Sequence, residues 1–165
     1  MTDATLSVRP AVQGDASLLL TLIRELADYE RLSHEVRATE ELLHEALFGE
    51  RPYAEAVIGH VGEHVAGFAL FFHNFSTFLA RPGMYLEDLY VRPQYRGSGL
   101  GKALLQHVAQ LAVERGCGRM EWSVLDWNTP AAGFYRNLGA EPMDEWTVFR
   151  LTGEALRQVG RKATD

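Results

Sequence analysis

The sequence of 165 residues has almost no cysteine, no long apolar run and no excess of positive charge. Its single cysteine, Cys117, excludes an internal disulfide and is typical of proteins from a reducing compartment. No stretch reaches the roughly 18 uninterrupted apolar residues of a membrane-spanning helix, and the N-terminus lacks the pattern of a signal peptide. These absences predict a cytoplasmic protein that does not enter a membrane.

Net charge and the placement of histidines argue against nucleic-acid partners and against metal sites. With 16 Lys and Arg against 22 Asp and Glu, the formal net charge of −6 argues against nucleic acid and permits cationic ligands. The six histidines are scattered and have no nearby cysteines, so no metal site is predicted. The sequence likewise contains no recognisable Ser-His-Asp or Cys-His arrangement.

Hydrophobic periodicity predicts one α/β domain over 1–152, followed by a polar tail over 153–165. Strands are predicted at 5–9, 54–59, 65–73, 85–91, 119–125 and 146–151, and helices at 15–30, 39–48, from 100 to about 116, and 129–139. Asp15, Thr39 and Thr129 are the expected helix caps, and 62–63 is the turn of a hairpin. The strand–helix–strand unit over 85–125 predicts a parallel strand pair with a right-handed crossover, so the sheet is mixed.

A glycine-rich loop follows the strand 85–91 and opens directly into a helix. Gly97, Gly99 and Gly101 allow a ligand to approach the backbone, and the N–H groups at the helix start favour an anion, usually phosphate. A nucleotide P-loop is excluded because Arg96 replaces its first glycine and Ala103 its hydroxyl residue. The G-x-G-x-x-G dinucleotide pattern fails in both registers. The alternative to an anion-binding loop is a glycine-rich turn that only connects the strand to the helix.

The pattern Arg-x-x-Gly-x-Gly over 96–101 resembles the pyrophosphate loop of the GNAT N-acetyltransferases. The segments 24–30, 85–89 and 126–130, together with Phe134-Tyr135, are similar to the diamine (spermidine/spermine) and thialysine branch of that superfamily. The resemblance implies the GNAT fold, with a mostly antiparallel mixed sheet of six to seven strands flanked by helices. It also implies acetyl-CoA as cosubstrate and direct transfer of an acetyl group, in a ternary complex, to a primary amine of a polyamine, a diamine or a lysine-like amino acid.

The same resemblance assigns roles to residues. Glu87 matches the general base that takes the amine proton, and Tyr135 matches the acid that protonates the leaving thiolate. The cofactor-binding set is Leu89, Tyr90, Val91, Arg96, Gly97, Ser98, Gly99, Leu100, Gly101, Lys102, Asn128, Pro130 and Ala131. The acceptor-binding set is Tyr29, Glu30, Glu87, Glu121, Trp122 and Ser123.

Structural roles remain open for several of these residues. Glu87 and Glu30 also fit solvated carboxylates, and Tyr135 and Trp122 also fit core aromatics. In a regular strand, Glu87 and Asp88 point to opposite faces, so they are not expected to form a close pair.

The sequence also bears on the assembly of the protein and on the class of its acceptor. The resemblance, and the apolar load around Trp122, Trp127 and Trp146, predict a homodimer. The alternatives to a small amine acceptor are a protein lysine or N-terminus, and a module that binds acyl-CoA without catalysis.

Overall fold

A computed structural model describes residues 4–161 of the protein, which form two compact units. The first unit runs to Leu125, and the second begins at Asp126. The first unit contains the sheet and three helices, and the second contains two short helices.

The sheet lies in the first unit and has its strands in chain order. The strands are β1 (Leu6–Pro10), β2 (Glu55–Val61), β3 (His64–Ser76), β4 (Arg81–Val91) and β5 (Met120–Trp122). The first four pair antiparallel, and β4 pairs parallel with β5, as the sequence predicts. Within residues 4–161 the sheet has five strands, so the expectation of six to seven was too high.

The helices are α1 (Ala16–Tyr29), α2 (Glu40–Phe48), α3 (Leu100–Glu114), α4 (Thr129–Asn137) and α5 (Gly153–Val159). The Thr39 hydroxyl caps α2 by accepting from the Leu42 N–H, as predicted. At α4 the cap is Asn128, one residue earlier than the predicted Thr129, because the Asn128 side chain accepts from the Ala131 N–H at 3.4 Å.

The core has a layer on each face of the sheet. On one face, Leu19 and Leu22 of α1 pack in a buried cluster that includes Ile58 and Phe68 of the sheet. On the other face lies α3, whose Leu100 is so close to β2 that a side chain at Gly59 would collide with it. We refer to these as the α1 face and the α3 face.

The C-terminal part of the chain differs from the sequence prediction. Residues 146–151 form no strand, and Trp146, Val148 and Phe149 in this segment are exposed. A strand requires partners for its backbone groups, which an alternating pattern alone does not supply. The region predicted as a polar tail contains α5, and residues 162–165 of it lie outside the described part of the chain.

Candidate active site

The glycine-rich loop joins β4 to α3 in a conformation that requires glycine. Gly97 and Gly99 have φ angles of 81° and 90°, which lie in the left-handed region, and Gly99 is the residue that caps α3. A Cβ atom at Gly97 would meet nothing within 4 Å, so this backbone is open to a ligand. Because the first N–H groups of α3 have no acceptors inside the helix, the loop and the helix start can bind an anion.

Two arginines between β4 and α3 contact side chains of α1. The Arg96 Nε atom donates to the Val91 carbonyl at 3.1 Å, and its guanidinium lies 4.5 Å from the centroid of the Tyr29 ring. Arg92 donates to both carboxylate oxygens of Glu25 at 2.9 Å. The side chain of Arg96, predicted to bind the cofactor, therefore contacts Tyr29, which was predicted to bind the acceptor.

The edge of β4 next to the loop is open. Pairing between β4 and β5 ends at Leu86 and Trp122, and in the described part of the chain β4 continues to Val91 without a partner on that side. An unpaired strand edge presents backbone N–H and C=O groups that can pair with an extended ligand.

Alternation decides which N–H groups face this open edge. The Arg92 N–H donates to the Ala66 carbonyl next to β3, so Tyr90, two residues earlier, also directs its N–H towards β3. Leu89 and Val91 direct theirs towards the open edge. Tyr90, predicted to bind the cofactor, instead packs its side chain in the α1-face core, with 5% exposed.

A β-bulge at Glu87 shifts the alternation of β4 side chains between the two faces of the sheet. Leu70 of β3 lies opposite Asp88 and Phe71 lies opposite Leu86, so Glu87 has no partner on β3. Tyr85 precedes the bulge and lies opposite Phe72. Because the extra residue shifts the alternation by one, Tyr85 and Asp88 both lie on the α1 face.

The bulge places Asp88 on that face, where it interacts electrostatically with Glu87 and Glu30, and we call these three residues the carboxylate cluster. Asp88 is half-buried, and its burial, followed by the negative charges of Glu87 and Glu30, raises its pKa to about 7. Burial also raises the pKa of Glu30, at the end of α1. Glu87 and Asp88 therefore interact through their charges, and the statement that they do not form a close pair stays a prediction.

Further along the same face lie two other residues predicted to bind the acceptor. Tyr85 and Ser123 share a hydrogen bond of 2.9 Å between their hydroxyl groups. Glu121 lies opposite Tyr85 and forms an ion pair with Arg119 at 2.9 Å. Trp122 lies opposite Leu86, so alternation places it on the α3 face, away from the rest of the predicted acceptor set.

The remaining predicted residues belong to the second unit. Asn128 caps α4, and Pro130 and Ala131 occupy its first turn. Tyr135 is half-buried on the same helix, with its ring 5.4 Å from that of Phe134. The assignments of these residues to the cofactor and to acid catalysis stay predictions.

Asp88 is the residue that the sequence analysis missed. Two adjacent carboxylates in an otherwise apolar strand were the only signal. The face on which each lies depends on the bulge, and the bulge is visible only in the pairing with β3.

The described residues contain neither a metal-binding cluster nor a helix that could span a membrane. Residues 4–161 contain no group of three or more His, Cys, Asp or Glu side chains placed to hold a metal ion. Within the same range, none of the helices combines the length and apolar character that crossing a membrane requires.

Comparison with known proteins identifies the family. The model of the acetyltransferase (GNAT) family matches residues 19–140. The thialysine N-epsilon-acetyltransferase of Bos taurus is 39% identical over 96% of this chain and 99% of its own length. The L-ornithine N5-acetyltransferase of Arabidopsis thaliana is 34% identical over 93% of this chain and 87% of its own length.

Solved structures agree with the fold. An integron cassette protein from the mobile metagenome of V. cholerae superposes with a TM-score of 0.79 and 25% identity, over 95% of this chain and 98% of its own. The family match extends over most of the chain and includes the glycine-rich loop, the bulged strand β4 and α4. We conclude that this chain belongs to the GNAT family of N-acetyltransferase enzymes.

Proposed function

We propose that the protein transfers the acetyl group of acetyl-CoA to a primary amine of a small cationic acceptor, by direct attack in a ternary complex. The observation that carries the proposal is the carboxylate cluster of Glu30, Glu87 and Asp88, which lies where β4 leaves β5 and leads to the glycine-rich loop. The carboxylates favour binding of a cation, and the glycine-rich loop favours binding of an anion. Strand β4 therefore connects a site suited to a cationic acceptor with a site suited to a phosphate group.

The loop fits the diphosphate of the cosubstrate. The open space at Gly97, the left-handed backbone at Gly99 and the first turn of α3 would hold phosphate groups through backbone N–H donors. The exposed Lys102 in that first turn adds a positive charge. When bound, acetyl-CoA supplies the activated acetyl thioester.

The open edge of β4 has two functions in this proposal. The N–H groups of Leu89 and Val91 pair with the extended arm of the cosubstrate, and one of them stabilises the negative charge that develops on the thioester oxygen. Their position on a packed strand keeps them oriented before the reaction begins. Asn128, Pro130 and Ala131 of the second unit are also proposed to contact the cosubstrate.

The carboxylates bind the acceptor and remove its proton. An alkylamine with a pKa near 10.4 is only about one part in 2,500 neutral at pH 7, so a proton acceptor increases the reactive fraction. Glu87 is the proposed acceptor of that proton, directly or through water. Asp88, whose pKa is about 7, is a second group placed to receive it. Tyr135 is the proposed acid for the leaving thiolate.

The names of the relatives support a small acceptor. They include a thialysine and an L-ornithine acetyltransferase, and both of these substrates are diamino acids. The proposed setting is the cytoplasm, and the proposed assembly is a homodimer.

The proposal is tested by incubating the protein with acetyl-CoA and a panel of polyamines, diamines, diamino acids and lysine peptides, with products identified by mass spectrometry. We expect mono-acetylated small amines. Acetylation of peptides alone would contradict the small acceptor, and CoA binding without any product would contradict catalysis. Glu87→Gln should lower kcat and alter the ascending limb of the pH profile. A rise in amine KM alone would instead assign Glu87 to binding.

A further inference from the structure

An ion pair lies beside the carboxylate cluster on the same face of the sheet. The Arg119 Nε atom is 2.9 Å from the Glu121 Oε1 atom, and the two side chains are 46% and 37% exposed. Glu121 lies opposite Tyr85 on the α1 face. Arg119 stands just before β5, and its carbonyl accepts a hydrogen bond from the Met84 N–H of β4. The pair leaves no net charge at a position where the sequence analysis expected a lone carboxylate.

Neighbouring residues hold this pair in place. The Asn74 Nδ2 atom donates to Glu121 Oε1 at 3.4 Å. A side chain at Gly83 would collide with the Asn74 Oδ1 atom, so the glycine makes room for this arrangement. Within residues 4–161, the terminal nitrogens of Arg119 and the Oε2 atom of Glu121 make no hydrogen bond. One cationic and one anionic group are therefore available side by side.

The register of the sheet gives the distance from this pair to the carboxylate cluster. Asp88 lies opposite Leu70, and Tyr85 lies opposite Phe72, which is two residues further along β3. Two residues of a strand span about 7 Å, and Glu121 lies on β5, a strand spacing of about 4.8 Å to the side, so the α-carbons of Asp88 and Glu121 are about 8 Å apart. A lysine side chain extends about 6 Å from its α-carbon to its terminal nitrogen by standard bond lengths. An acceptor whose reactive amine lies at Asp88 therefore places its other end near the ion pair.

We propose that Arg119 and Glu121 recognise the α-carboxylate and α-ammonium groups of a diamino acid, so the acceptor is a lysine-like amino acid and not a polyamine or diamine. This inference rests on the proposed function. The guanidinium fork matches a carboxylate, and the Oε2 atom of Glu121 matches an ammonium group. A diamine presents only a cation at this position, and Arg119 repels it.

The test compares substrates that differ only in the carboxylate. L-lysine and 1,5-diaminopentane form one such pair, and L-ornithine and 1,4-diaminobutane form another that is shorter by one methylene group. We expect the wild-type kcat/KM to favour at least one amino acid over its diamine by tenfold or more, which is the usual effect of a hydrogen bond to a charged group. We also expect L-lysine to exceed D-lysine, because two groups on the α-carbon are recognised.

Variants then assign the preference to the ion pair. Arg119→Gln should lower kcat/KM for the amino acid about tenfold and raise it several-fold for the diamine, because Glu121 loses its partner. Arg115→Gln is the matched control: Arg115 pairs with Glu55 on β2, outside this face, and its loss should change neither substrate. Calorimetry with CoA and thermal unfolding would verify that each variant is folded.

Equal use of amino acids and diamines by the wild-type protein would overturn the inference, even without any variant. So would an Arg119→Gln protein that loses activity equally on both substrates. Such results would leave amine acetylation itself intact. Failure to acetylate any amine in the panel, in contrast, would refute the proposed function and this inference together.

Discussion

Asp88→Asn should make the protein more stable at pH 8 and less active at the same time. Asparagine has nearly the same shape as aspartate but cannot carry a charge. In the folded protein, burial and the charges of Glu87 and Glu30 raise the pKa of Asp88 from its ordinary 3.8 to about 7. Ionisation of this group is therefore less favourable in the folded protein than in the unfolded chain.

The sign and size of the effect follow from proton linkage. A carboxyl with a raised folded pKa favours folding at low pH, and this contribution is lost as the pH rises from about 4 to about 7. At 1.36 kcal/mol per unit of pKa, the largest cost is about 4 kcal/mol. Because Glu87 is exposed and Glu30 only half-buried, solvent screens part of the repulsion, and we expect about 1–2 kcal/mol.

Thermal unfolding across pH 4 to 8 measures this effect. We expect equal melting temperatures for the wild-type protein and Asp88→Asn near pH 4, and a variant about 4 °C more stable at pH 8. Asp144→Asn, the same exchange at an exposed position, should produce no such trend. In parallel, kcat/KM for the amine should fall. A variant that is equally or less stable at pH 8 would refute the proposed environment of Asp88.

Three further measurements test the rest of the site. Gly101→Leu should weaken CoA binding tenfold or more in calorimetry with little effect on amine KM, because the larger side chain obstructs the cosubstrate. The fold should tolerate the change, since the added Cβ makes an ordinary contact with Val91 at 3.7 Å. Unchanged CoA affinity would contradict the loop assignment. Tyr135→Phe should lower kcat roughly 10²–10⁴-fold while CoA binding survives, and full kcat with chemistry rate-limiting would leave Tyr135 a packing residue. Light scattering should give the mass of a dimer at micromolar concentration, and a monomer mass would end that prediction.

Local patterns in the sequence were sufficient for much of the fold. The apolar stripes of α1 and α3, the turn at Gly62 and the Thr39 cap act over a few residues, so each was predictable without tertiary contacts. The glycine-rich loop belongs to the same class, because its φ angles and its position before a helix are local properties. The parallel pairing of β4 and β5 followed from the helix between them, since such crossovers are right-handed and adjacent.

Tertiary structure decided what the site presents to a ligand. The bulge at Glu87 exists only relative to β3. It places Asp88 on the α1 face, where burial and the charges of Glu87 and of the sequence-distant Glu30 raise its pKa. The ion pair of Glu121 with Arg119 and the contact of Arg96 with Tyr29 likewise depend on side-chain packing, which the spacing of residues in the sequence does not predict. The sequence by itself thus determined the family and the helices and strands of the first unit, because these depend on local periodicity and motifs. Strand register and packing determined the charges in the proposed acceptor site, because electrostatic interactions depend on distance in space and not on position in the chain.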